Sequence, residues 1–287
     1  MQDIDINKVT EPYEYYLKFI KENCRPDNRR LSDIRPCNVT TNCINTVNGS
    51  SLVKLGSTNV TCGINARLCR PKEDRPNKGY VVCNVEVPAL CSSKNFKSST
   101  QSSSFCQSSV SSSSIEQTQA MLSQLMQDII TESKCINEEE LCIKEGKLAW
   151  VLFIDLICLN NDGNVQDACC VAMISALKNL KLYQIDFNEE EDRPVVKYPL
   201  EYRDFALHSE PVLTTLFAIE DNILLTDPNK QEEDFMKTFV LVCSVDSQKV
   251  CLVRKLGGFC LKIEQLNMCI NRALDNGKFI RENIIKK

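Results

Sequence analysis

The segment from Leu156 to Leu180 reads LICLNNDGNVQDACCVAMISALKNL, and it joins an apolar run to a helical pattern through a turn at 160–164. The Asp-Gly pair within that turn is typical of a tight chain reversal. The first turn of a helix presents free N–H groups and the positive end of the helix dipole, which together favour an anion. Here, however, that first turn contains Gln166 and Asp167 and neither Lys nor Arg. The segment therefore predicts a strand, a turn and a helix whose anion site is opposed by an acid.

Strands and helices are mixed on either side of this segment. Residues 147–159, KLAWVLFIDLICL, barely alternate and predict a strand that is buried on both faces. Short runs rich in Val, Thr and Ile occur before and after it, with a hairpin turn predicted at 246–248. Further helices are predicted at 10–23, at 114–133 and along a closing stretch whose apolar stripe runs from Ile263 to Ile284. This order of elements is typical of the α+β class.

A low-complexity stretch interrupts the pattern at 97–114, KSSTQSSSFCQSSVSSSS. Such a serine-rich segment has too little apolar surface to order itself. We therefore expect a flexible insertion at 97–114. Ser114 and Gln117 have the spacing of a capping box, so the helix that follows is expected to begin at Ser114.

The composition excludes several classes of function. The net charge of −4 argues against broad electrostatic capture of nucleic acid, although a local basic loop stays compatible with it. The 17 cysteines include no C-x-x-C pair and are accompanied by one histidine, His208, so a zinc finger is not expected. A Ser-His or Cys-His catalytic centre would have to use His208, which has no nucleophile motif near it. We expect no metal and no cofactor.

The cysteines and the sequons point to a reduced environment. Many cysteines lie inside apolar runs, and the N-terminus lacks the pattern of a secretory signal, so we expect reduced thiols in the core. The sequons at Asn38, Asn48 and Asn59 are then chance matches. The longest apolar run contains Asp155 and is too short to cross a bilayer, so no membrane partner is expected.

Five segments in register resemble the RNase PH family, and in particular its exosome ring subunits. They are ENCRPDNRRLSDIRP, GSSLVKLGSTNVTCGINA, RPNKGYVVCNVEVPALCSS, GKLAWVLFIDLICLNNDGNVQDA and LLTDPNKQEEDF. The resemblance implies one RNase PH-like domain over 1–287, placed in a six-membered ring with related subunits and topped by cap proteins. It also implies RNA in a central channel, and a location in the nucleus, with its nucleolus, and in the cytoplasm.

Active members of that family cleave RNA with inorganic phosphate, and the resemblance implies where this chain departs from them. The family's R-x-D-G-R loop reads here Arg25-Pro26-Asp27-Asn28-Arg29, and Asn tolerates the left-handed backbone angles of the turn. The arginine that binds phosphate in the first turn of the helix is replaced within 162–167, where Asp167 would repel the anion. The family's carboxylate pair corresponds to Asp227 and Glu233, which we interpret as a solvated acidic loop rather than as catalytic residues.

The leading hypothesis is a non-catalytic ring subunit that supports 3′-to-5′ RNA processing and degradation. RNA contact is expected at Lys94, Phe96 and Lys97, because the matching loop of relatives faces the channel mouth and Phe96 can stack on a base. The basic loop at 70–78 is a weaker candidate for such a contact. Two alternatives stay open at this point: an active phosphate-dependent 3′–5′ exoribonuclease, and a free-standing binding protein outside any ring.

Overall fold

The computed structural model describes residues 12–91, 110–188, 193–196, 202–219, 223–235, 238–258 and 260–285. In these parts of the chain the helices are α1 (Pro12–Lys21), α2 (Val110–Ser133), α3 (Val165–Lys178), α4 (Lys230–Phe235) and α5 (Ile263–Ile280). The strands of the first sheet are β1 (Cys37–Thr41), β2 (Gly49–Leu55), β3 (Thr58–Cys69), β4 (Tyr80–Glu86), β5 (Cys142–Lys144) and β6 (Leu148–Asn160). The remaining strands are β7 (Lys181–Tyr183), β8 (Ile185–Asn188), β9 (Arg193–Val196), β10 (Tyr202–Asp204), β11 (Val212–Ile219), β12 (Ile223–Thr226), β13 (Phe239–Ser244) and β14 (Val250–Leu256).

The six-stranded sheet has the order β1-β2-β3-β6-β4, and β5 pairs with the start of β6. Strand β4 runs parallel to β6, and the other pairs are antiparallel. The first half of β6 is buried on both faces, whereas Asp155, Ile157 and Leu159 in its second half are exposed. The prediction of a strand buried on both faces is therefore right for the first half only, because the second half has one open face.

A four-stranded antiparallel sheet with the order β12-β11-β13-β14 forms the other half of the structure. All eight residues of β11 are buried. Helix α3 packs against β2 and β3 of the first sheet and against β11 of the second. Because α3 lies between two sheets, it is apolar around most of its circumference rather than on one stripe. Its N-terminus, with the turn before it, is thereby held where the two sheets meet.

Two predicted boundaries differ from the structure. Helix α2 begins at Val110, so Ser114 lies inside the helix and the predicted capping box does not mark its start. Extending an existing, packed helix by one turn costs less free energy than nucleating a new helix. The apolar stripe of α2, which packs on the core, therefore outweighs the weak helix propensity of the serines before it. The sequence of 193–204, RPVVKYPLEYRD, favours one edge strand, but the structure has two short strands there, β9 and β10, which pair separately with β8 and β7. The prediction of a flexible insertion at 97–114 is wrong for 110–114, which belong to α2. For 97–109, which lie outside the described residues, it stays a prediction.

The predictions for the cysteines, the hairpin and the C-terminal helix are confirmed. All sixteen cysteines that the structure describes are free thiols, and eight of them are buried. The hairpin turn at 246–248 and the long C-terminal helix are present, although Ile263 is exposed and Cys269 lies on the buried side of α5 in addition to the predicted stripe. In the described part of the chain, no helix combines the length and the apolar character that a membrane span requires.

Candidate functional site

The turn at 160–164 is fixed by its neighbours before any ligand is considered. Thr58 on β3 donates from its hydroxyl to the carbonyl of Gly163 at 2.7 Å and accepts from the N–H of Asp162 at 3.1 Å. Gly163 has φ +87°, and a Cβ atom there would lie 2.5 Å from the backbone nitrogen of Lys230. Both the conformation and the close approach of the chain at 230 therefore require glycine.

The side chain of Asp167 points away from the mouth of α3, which corrects the prediction that it repels an incoming anion. It is buried, and it accepts hydrogen bonds from the hydroxyl of Thr215 at 2.7 Å and from the backbone N–H of Thr215 at 3.0 Å. The amide of Asn164 donates a third bond at 2.8 Å. Burial raises the pKa of Asp167 to about 7, although these donors favour the charged form. Asp167 therefore joins α3 to β11 rather than closing the anion site.

The prediction that Asp227 lies in a solvated loop is wrong. Its side chain is 1% exposed, and both carboxylate oxygens are saturated with donors. Arg35 donates to them from its backbone N–H, its Nε and an amino group at 2.7, 2.9 and 2.8 Å, and Asn164 donates at 2.7 Å. Burial alone raises the pKa of Asp227, but the hydrogen bonds and charge of Arg35 outweigh it and hold the pKa below its ordinary value. Its buried position follows from β12, which ends immediately before it.

Three arginines from the 24–36 loop converge on the chain at 226–227. Arg25 is 1% exposed and donates to the carbonyls of Thr226 and Asp227, while Arg29 reaches the Asp227 carboxylate at 3.2 Å. The turn that presents Arg25 and Arg29 has Asn28 at φ 64°, which confirms that asparagine supports the left-handed conformation there. The local sequence gives Arg35 no role. The one signal for its pairing is that the 24–36 loop is rich in arginine while 227–233 is rich in acids.

Glu233 occupies the mouth of α3. One of its carboxylate oxygens accepts the backbone N–H of Asn164, the residue before the helix, at 2.7 Å. Burial raises the pKa of Glu233, and the N–H of Asn164 opposes that effect. The predicted acidic pair is thus brought together, since Asp227 and Glu233 both bind Asn164, one at its side chain and the other at its backbone. Among the described residues no group of three or more His, Cys, Asp or Glu side chains is arranged to hold a metal ion.

Cations do reach the turn, although the segment 162–167 itself contains none. Arg35 donates to the carbonyls of Asp162 and Gly163 at 2.9 and 3.1 Å, and Lys230 donates from Nζ to the carbonyl of Asn161 at 3.3 Å. The expectation that an anion would find no cation there is therefore incomplete. What limits the site is that these cations already bind the carbonyls of the chain and, in the case of Arg35, the carboxylate of Asp227.

The residues predicted to contact RNA, Lys94, Phe96 and Lys97, lie outside the described residues, and their role stays a prediction. His208 is half-exposed and lies 2.9 Å from a carboxylate oxygen of Glu140. It forms no described contact with the network around Asp227.

Comparisons with known proteins match this architecture. The model of the 3′ exoribonuclease family, domain 1, matches residues 33–182, and the model of domain 2 of the same family matches residues 210–276. The chain belongs to the 3′ exoribonuclease, or RNase PH, family. The six-stranded sheet with α3 corresponds to the first RNase PH match, and the four-stranded sheet corresponds to the second.

Individual relatives within the RNase PH family are similar over nearly the whole chain. The exosome complex component rrp43 of Schizosaccharomyces pombe is 34% identical over 268 residues, which are 93% of this chain and 93% of that protein. The exosome complex component Rrp42 of Pyrococcus furiosus is 32% identical over 272 residues, or 95% and 92% of the two chains. A structure of the Archaeoglobus fulgidus exosome with RNA bound to the active site gives a TM-score of 0.76 at 25% identity, and covers 98% of this chain and 99% of that one.

Proposed function

We propose that this chain is a non-catalytic structural subunit of an RNA exosome ring. In this function it contributes interfaces to related RNase PH-like subunits and to cap proteins, and it forms part of the wall of a channel that carries RNA to a nuclease elsewhere. The relatives named as exosome components support the assembly, because the similarity covers more than nine-tenths of this chain. A location in the nucleus and the cytoplasm follows from the same proposal.

One observation carries the non-catalytic part of the proposal: the groups that would bind phosphate are bound by the chain itself. The Arg35 guanidinium donates two hydrogen bonds to Asp227. The backbone N–H of Asn164, which has no partner within α3, donates to the carboxylate of Glu233. An inorganic phosphate at this position would meet the negative charge of Glu233. It would also have to displace a charge-assisted hydrogen bond, which contributes about 1.5–3 kcal/mol.

A single observation favours the second candidate, an active phosphorolytic exoribonuclease. One amino group of Arg29, Nη2, is buried and has no hydrogen-bond partner among the described residues. A buried donor without a partner costs free energy, so it is a place where an anion would be stabilised. This donor lies, however, beside an Asp227 carboxylate that already accepts from the other amino group of Arg29. Nε of Arg25, in the same loop, also lacks a hydrogen-bond partner among the described residues, but it lies 3.7 Å from a carboxylate oxygen of Glu232.

A phosphorolysis assay separates the two candidates. The purified full chain is incubated with oligoadenylate, Mg²⁺ and inorganic phosphate, and the release of nucleoside diphosphate is followed beside an active member of the family. We expect no release above that of a buffer control. Release that depends on phosphate and is lost in Arg29→Met would establish the enzyme and refute the proposal.

The assembly is tested separately, by affinity purification of the tagged chain from cells at gentle salt. We expect related RNase PH-like subunits and cap proteins to co-purify in one high-mass particle. A tagged chain that elutes as a lone monomer, with no such subunits, would instead support the third hypothesis of a free-standing binding protein.

A further inference from the structure

A cleft of about 540 Å³ lies between the loop that joins β3 to β4 and the C-terminal end of α2. It shares no lining residue with the site around Asp227. We propose that this cleft docks an acidic segment of a partner protein in which carboxylates flank an aliphatic side chain. The proposal concerns a protein-binding surface, and it does not depend on whether the chain is catalytic.

The rim of the cleft is basic. It carries Arg75, Lys78 and Lys134, and the one acid in the lining is Glu138, which lies 3.4 Å from the amino group of Lys78. Arg75 and Lys134 are exposed, and within the described residues their side chains have no ion-pair partner. Two uncompensated cations therefore face the cleft in a chain whose net charge is −4. Such a local excess of positive charge attracts an acidic partner.

The floor of the cleft is aliphatic. It is formed by Val81, Ile130 and Ile136, and the described lining contains no Phe, Tyr or Trp side chain. The one ring in the lining is the imidazole of His208, which lies 2.9 Å from a carboxylate oxygen of Glu140. Single-stranded nucleic acid is held in such grooves by stacking of bases on aromatic side chains, in addition to phosphate contacts. Because the cleft offers an aliphatic surface without Phe, Tyr or Trp, and the imidazole of His208 already contacts an acid, it fits a leucine-like side chain better than a base. A basic rim over an aliphatic floor thus favours an acidic peptide over RNA.

The walls of the cleft are fixed in place by backbone hydrogen bonds. The N–H of Gly79 donates to the carbonyl of Glu138 at 2.9 Å, and the N–H of Gly146 donates to the carbonyl of Pro76 at 2.9 Å. A Cβ atom at Gly79 would lie 2.5 Å from the carbonyl oxygen of Trp150, so the loop packs directly on β6. A surface that is already ordered loses less conformational entropy when a partner binds.

The test uses a fluorescein-labelled peptide of alternating glutamate and leucine, and its binding to the full chain is measured by fluorescence anisotropy. A peptide with glutamine in place of glutamate is the control for charge. We expect the double variant Arg75→Glu/Lys134→Glu to bind the acidic peptide about tenfold more weakly or worse. The matched control, Lys54→Glu/Lys181→Glu, reverses two exposed lysines outside the cleft lining and should stay within about twofold of wild type.

A second variant tests the floor without changing charge. Thr131 is an exposed helical residue in the lining, and Thr131→Trp would place a large side chain in the cleft while leaving α2 intact. We expect it to weaken binding of the acidic peptide, with the thermal unfolding midpoint unchanged. Equal binding of the glutamate and glutamine peptides, or equal losses in the two double variants, would overturn the proposal. So would tighter binding of oligoadenylate that displaces the peptide, because the cleft would then be an RNA surface.

Discussion

Replacement of Asp227 by asparagine tests the central feature of the site, a buried carboxylate held by arginine. The substitution preserves shape and removes the negative charge. Whichever way the amide is oriented, its NH₂ group faces at least two donors, for example an amino group of Arg35 and the side-chain amide of Asn164. The variant therefore loses acceptors and also leaves the guanidinium of Arg35, which is 7% exposed, without its counter-charge.

The magnitude follows from the burial of both partners. Removal of one partner from a buried, hydrogen-bonded ion pair typically costs about 3–5 kcal/mol, because the other charge is left uncompensated. Asp227 and Arg35 are 1% and 7% exposed, so solvent relieves little of that cost. We therefore expect the free energy of unfolding to fall by about 3–5 kcal/mol at neutral pH.

Urea unfolding of the purified chain measures this loss as a lower midpoint at unchanged slope. The control is Asp246→Asn, since Asp246 forms an exposed ion pair with Lys249 at 3.9 Å, and such pairs contribute about 0–1 kcal/mol. Because the pKa of Asp227 lies below its ordinary value of about 4, its stabilisation is present above that pH. The difference between wild type and Asp227→Asn should therefore narrow as the pH falls through the lowered pKa. A loss no larger than that of Asp246→Asn would refute the account of the network.

Three further predictions concern single residues. The pKa of Asp167 is raised to about 7, so the folded state binds more protons than the unfolded state between about pH 4 and 7. The free energy of unfolding should therefore fall as the pH rises through that range. Asp167→Asn reproduces the protonated form, so unfolding of this variant measured against pH should show a flatter profile. Gly163→Ala should lower the free energy of unfolding by about 1–3 kcal/mol more than Gly146→Ala does. Both glycines have positive φ, but only Gly163 packs on the backbone at Asn229. Equal losses in the two variants would contradict this reason for the glycine at 163. In thermal unfolding, Cys62→Ser should lower the free energy of unfolding by about 1 kcal/mol more than Cys62→Ala does. The reason is that the Cys62 thiol is fully buried, so serine would place a hydroxyl in an apolar core. The reverse order would argue against a core-filling role for Cys62.

The strand, turn and helix around 160–164 were predictable because their signals are local. An apolar run, an Asp-Gly pair and a helical pattern each act within a few residues, so the sequence predicts β6 and α3 without tertiary information. The same holds for Asn28, whose tolerance of positive φ is a property of the residue itself. Helix α2 was placed four residues too late because packing, rather than the local capping signal, sets where it begins.

The direction of the Asp167 side chain could not be predicted in this way. A first-turn acid points either to solvent or to a neighbouring strand, and the choice depends on β11, which follows more than forty residues later. The burial of Asp227 has the same origin, since its partner Arg35 is 192 residues away in the chain. Neither residue type nor local spacing carries information about such pairs.

By itself, the sequence determined the α+β class, the strand–turn–helix unit and the acidic character of 227–233, because propensity and periodicity act between near neighbours. The tertiary structure alone decided which charges neutralise each other: Arg35 with Asp227, and the Asn164 N–H with Glu233. The reason is that desolvation and hydrogen bonding depend on distances of a few ångströms, and only the packing of two sheets around α3 sets those distances.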